Sequence, residues 1–392
     1  MKPKARKRLI RFLLLIPASL LLLIIVASTI LYYQQQRLVK LAIKELNKQL
    51  PGELVIGGSN ISAIENFPYV SIRVNNVKFY DGKQQTRKPI YEAERMFIGF
   101  SLPDILKQKY RVKVIVLKNG HLDLVQDNAG KLNVVEAFRL RQDSIAIPKT
   151  KSSAEMDLDL RKIVLKNMQV SYVDQQSKQK FVTRIERIQS SFHSDSANVL
   201  VDLKGNMRLD FLRPNDTTLF RNKRLETTFQ FFYDKHTQYC SLREGKVKLE
   251  EALFDITGNA DLKHDNMLDI RISGVNPDFK QLLSFAPEDV KKQLGRFKYD
   301  GRLSFNGSEK GNLKGKQLPL VEVSFNCADA WLYNTEADKK LDSLAFKGYY
   351  TNGADRSLKT SELRILNMNA RPGKGVSAVI SSCAISRTRR SS

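Results

Sequence analysis

From Phe12 to Tyr33 the chain reads FLLLIPASLLLLIIVASTILYY, roughly 22 residues without a charge; as a helix it would cover about 33 Å, the depth of a bilayer core. No other feature restricts the fold as much. A secretory signal peptide is the rival reading, but its apolar stretch would be about 7 to 15 residues with a small-x-small cleavage site behind it, and this run is too long for that. Six basic residues, Lys2, Lys4, Arg6, Lys7, Arg8 and Arg11, precede it, and Tyr32 and Tyr33 stand where an interfacial aromatic belt would lie. These flanks keep residues 1–11 in the cytoplasm, make 12–33 an uncleaved single-pass anchor, and send the rest of the chain to the far side of the membrane.

That remainder is a folded polar body. Of 392 residues, 42% are apolar and 27% charged, with a mean hydropathy of −0.35, which excludes both a polytopic and a disordered chain. The six leading cations account for part of the formal +24, and the rest still carries +18. A basic surface suits anionic headgroups or simple solvation, and a translocated body does not meet nucleic acid. Cys240, Cys327 and Cys383 are odd in number and widely spaced, so they form no disulfide framework and read as small buried hydrophobes, with a Cys240–Cys327 pair as the alternative.

After the anchor, Leu38, Leu41, Ala42, Leu46, Gln49 and Leu50 recur at helical spacing until Pro51-Gly52, an amphipathic helix that either caps the first layer of the fold or lies on the membrane surface. Beyond it the period becomes two. Val70, Ile72 and Val74 alternate with polar residues, as do Val112, Val114 and Val116, Leu122 and Leu124, Phe229, Phe231 and Tyr233, Leu268, Ile270 and Ile272, and Val321, Val323 and Phe325. Turn dipeptides such as Asp81-Gly82, Asn119-Gly120 and Asn306-Gly307 separate the runs, so the body is mainly β with minor α, mostly antiparallel. Short helices are expected at Ser101–Gln108, Asn133–Leu140 and Pro277–Leu294.

One echo joins strand to strand: VLKNGHLDLVQD at Val116–Asp127 and VLKNMQVSYVD at Val164–Asp174, with a weaker VNNVKFYDG at Val74–Gly82. It reads as a repeated β-unit or as generic hairpin chemistry. Residues 141–162 are polar and form a linker between a first segment, 34–140, and a second, 163–375. Residues 376–392 lose the period of two and are expected to be irregular, either a truncated or frame-shifted end or a natural disordered tail.

The basic anchored N-terminus, FPYVSIRVNNVKFYDG at Phe67–Gly82, the long segment from Tyr91 to Val134, GRFKYDGRLSFNGSEKGN at Gly295–Asn312 and the helix-like Asn276–Val290 together resemble the AsmA-like family. Its members are envelope proteins of Gram-negative bacteria whose N-terminal region is similar to chorein-type bridge-like lipid-transfer proteins. The resemblance implies an elongated, taco-like β-sheet groove, apolar inside and polar outside, held at the inner membrane and projecting into the periplasm. It implies phospholipid as the bound partner, support of outer-membrane assembly as the role, and other envelope proteins as candidate partners. On that reading a lipid-facing wall includes Val70, Ile72, Val74, Val114, Val116, Leu122 and Leu124, with strand register deciding which face it occupies.

No catalytic, cofactor or metal site is expected. His121, His193, His236 and His264 stand alone, no nucleophile elbow, phosphate loop or dinucleotide fingerprint occurs, and Asp157–Leu160 reads as the polar face of a strand rather than a cation site. An anchored scaffold without lipid transfer, or an envelope hydrolase with an unfamiliar site, are the alternatives.

Overall fold

A computed structural model describes residues 3–49, 51–82, 88–138, 156–176, 178–212, 218–263, 267–274, 280, 292–312, 318–356, 360–373 and 378–386. Anchor and amphipathic helix are one element, α1 (Pro3–Gln49). Its segment Ser19–Leu41 is long and apolar enough to cross a membrane. Leu21, Leu22 and Ile25 are 54–62% exposed, whereas Ala27, Leu31, Leu38 and Val39 are at most 6% exposed. The helix is therefore bare along one stretch and packed along the next.

The chain forms two compact units, Met1–Gln189 and Ser190–Ser392. In the first, β1 (Glu53–Val55) and β2 (Gly58–Ser62) both pair with β3 (Tyr69–Tyr80), which pairs with β4 (Tyr91–Ser101), and that in turn with β5 (Tyr110–Gln126), all antiparallel. Then β6 (Met156–Asp174) lies parallel to β5, a departure from the antiparallel pattern expected. The two clear copies of the echo lie side by side here, with Val116 opposite Val164, Lys118 opposite Lys166 and Gly120 opposite Met168.

Asn47 ties the end of α1 to β1, accepting from the Leu54 N–H at 2.7 Å and donating to the Leu54 carbonyl at 2.9 Å. Two short helices sit where expected. In α2 (Leu102–Leu106) the Ser101 hydroxyl accepts from the Asp104 N–H and a proline occupies the first turn, the usual start chemistry; α3 is Asn133–Phe138. The helix expected at Pro277–Leu294 lies almost wholly outside the described residues.

β7 (Gln179–Ser194) carries the chain into the second unit, a meander of ten strands. These are β8 (Asn198–Leu212), β9 (Thr218–Asp234), β10 (Tyr239–Leu249), β11 (Ala252–Asp261), β12 (Met267–Gly274), β13 (Phe297–Asn312), β14 (Leu320–Asn334), β15 (Lys339–Thr351), β16 (Glu362–Pro372) and β17 (Ala378–Ser386). Each is antiparallel to the next.

Two boundaries differ from expectation. Of the polar stretch 141–162, residues 141–155 lie outside the described residues, and the remainder already belongs to β6, where Lys113 pairs with Asp159. The tail beyond 375 holds β17, because backbone pairing to β16, Met368 to Ile380 and Ile365 to Cys383, needs no strict side-chain alternation.

Candidate functional site

The strands of each unit carry one apolar face. In the first unit Val70, Ile72 and Val74, each 1% exposed, pack with Phe100, Val112, Ile105 and the α1 residues Ala27, Leu31, Leu38 and Val39. The opposite face is polar and ion-paired: Lys78 meets Glu92 at 3.3 Å, and His121 lies 4.0 Å from Glu92 and 3.8 Å from Asp123. Within it sits one apolar island, Phe97, Val114, Val116 and Val164, with Tyr69 against it.

Strict alternation does not carry a side chain along one face from end to end. Asn76, Asn119 and Asn167 adopt left-handed backbone, with φ of 48°, 55° and 51°, which Asn tolerates better than most residues. They stand at one level of β3, β5 and β6, with Glu94 of β4 between the first two. Asn119 donates to Glu94 at 2.6 Å and Asn167 donates to Asn119 at 3.2 Å. Each left-handed residue absorbs one position, so Val74 and Val77, three apart, pack in the same cluster. The echo in the sequence marks this row.

The seven expected wall residues consequently part company. Val70, Ile72 and Val74 lie beneath α1. A register shift between Gly99 and Phe100 places Val114 and Val116 on the other face, in the island with Phe97. Past Asn119 the chain returns: Leu122 packs with Phe79, Ile90 and α3, and half-buried Leu124 lies level with Tyr172.

The second unit also has one apolar face. A single row runs Ile256, Ile272, Gly307, Val323, Tyr350, Leu363 across six strands. Beside it run Phe305, Phe325, Gly348 and Ile365. The ring of Phe305 lies 5.5 Å from that of Phe254, and Phe325 lies 6.2 Å from Phe346. Gly348 is required, since a Cβ there would enter the Phe325 ring. Except for the two glycines, every residue of these two rows is half-buried rather than buried. The helices α1, α2 and α3 do not pack on this face. Asp255, Thr257, Arg271, Asn306 and Ser324, on the other face, are exposed, and Tyr349 there donates to Glu322 at 2.6 Å.

Other chemistry is sparse. Among the described residues no three His, Cys, Asp or Glu side chains converge on a metal position. Cys240 and Cys327 are free thiols, and burial pushes the Cys327 thiol up to about 11, far from a reactive thiolate.

No curated protein matches the chain. A model of the AsmA family matches residues 5–310, from the start of α1 through all but the end of β13, which supports an envelope-associated, membrane-anchored protein. On a match over most of its length, the chain belongs to the AsmA family.

Proposed function

We propose that this chain is an inner-membrane protein with a cytoplasmic N-terminus and a periplasmic body, which supports outer-membrane assembly by binding or conducting phospholipid along the apolar face of its second unit. The observation that carries this reading is the half-buried row from Ile256 to Leu363, with aromatic rings on its flank. A soluble sheet ordinarily covers such a face with a second layer. Acyl chains supply that cover: shielding ten methylenes is worth about 8 kcal/mol at roughly 0.8 each, while headgroups remain in water. Lipid handling of this kind requires no covalent chemistry. Native mass spectrometry of the detergent-purified chain is expected to show co-purifying phospholipid, depleted in Val323→Asp. Protein that carries no lipid would favour a scaffold and sink the proposal.

A further inference from the structure

On the polar face of the first unit, the segment Glu65–Pro68 borders a hollow of about 230 Å³. Its floor is Val114, Val116 and Val164, none more than 4% exposed. Lys162, Lys166 and Arg187 line it, facing a single carboxylate, Glu65. That carboxylate is already engaged: Lys118 donates to it at 2.9 Å and Arg73 lies 3.5 Å away, and the Lys118 bond holds its carboxyl below the usual range. Among the described residues neither Lys162 nor Lys166 has an acidic partner, and Arg187 donates only to the neutral Gln189 amide, at 3.1 Å.

Three cations that share one carboxylate, itself already paired with Lys118 and Arg73, repel one another. Burial, and then the charges of Arg187, Lys118 and Lys162, push the Lys166 ammonium below its ordinary value. An apolar floor that limits water on one side strengthens every charge interaction above it. The hollow is smaller than the roughly 300–1,000 Å³ of pockets that enclose drug-sized molecules, so it suits a compact charged group and not an acyl chain. An oxyanion with several acceptor oxygens meets two ammonium groups and a forked guanidinium best.

We propose that this hollow is a binding site for a phosphate group, either on a lipid headgroup or free in solution. It lies on the face opposite the α1-covered core and does not depend on lipid lining the second unit.

Calorimetric titration of the full chain in a nonionic detergent tests it, with inorganic phosphate in one arm and dihexanoyl phosphatidylglycerol in the other. Saturable binding is expected, weakened about tenfold by each of Lys162→Gln, Lys166→Gln and Arg187→Gln, about one charge-assisted hydrogen bond, and retained by Lys166→Arg. Unfolding temperatures of the Gln variants should stay level or rise as repulsion is relieved. Binding in the phosphate arm supports a free ligand, and binding in the phosphatidylglycerol arm alone supports a headgroup. No saturable binding in either arm, binding indifferent to all three substitutions, or losses that only track unfolded protein would overturn the proposal. Each of these results leaves lipid at Val323 unaffected, so the two proposals fail separately.

Discussion

At Asn119 the backbone is left-handed and the side chain bridges Glu94 and Asn167, so conformation and hydrogen bonding fall on one residue. Asn119→Ala should cost about 1–2 kcal/mol, from the left-handed penalty alone, read as a lower midpoint in chemical unfolding. Asn119→Gly relieves that penalty and should recover most of the loss; equal losses would show that the side-chain bridge, not the backbone, matters there. Glu65 titrates in a defined direction. Its folded carboxyl lies below the ordinary 4.5 because Lys118 donates to it, so its stabilising effect is present above about pH 4.5 and fades as pH falls through the lower folded value. Unfolding followed at pH 7 and at pH 3 should separate wild type from Glu65→Gln at the higher pH and narrow the gap at the lower; a gap independent of pH would contradict this.

Among the elements, α1 joins two environments. Residues around Leu21 and Ile25 are exposed as a lipid-facing helix would be, while Ala27, Leu31, Leu38 and Val39 complete the core over Val70, Ile72 and Val74. A body beginning at Gly52 therefore lacks one wall of its core and should aggregate or lose its cooperative transition, whereas one beginning at Ala27 should stay folded. Equal stability of the two would show that the helix is only a tether. Both the apolar run and the amphipathic spacing were legible in the sequence, as were α2, through Pro103, and α3. The face of each strand was not. Val112, Val114, Val116 and Leu122 share parity, and alternation puts them together; the shift at Gly99/Phe100 and the left-handed turn at Asn119 send the middle two to the opposite face. Such irregularities are set by neighbouring strands, so no local pattern announces them. The cations Lys162, Lys166 and Arg187 escaped notice for a related reason: Arg187 stands on a different strand from the two lysines, and the floor of Val114 and Val116 comes beside them only once β6 lies parallel to β5.

In the molecule as a whole, each unit bears an apolar face, closed by helix in the first and half-buried in the second. The expectation of a one-sided β wall was readable from period two and from the family pattern. Its location required the structure, which draws the open apolar surface through β11 to β16 and places the residues nearest the anchor in a packed core. The measurement that bears most directly on lipid handling is site-specific photo-crosslinking in living cells at Val323 and Leu363, with Ile72 as the buried reference. Adducts to phospholipid at Val323 and Leu363, and none at Ile72, are predicted. Crosslinks at Val323 and Leu363 confined to other segments of the same chain would contradict a lipid-bearing face.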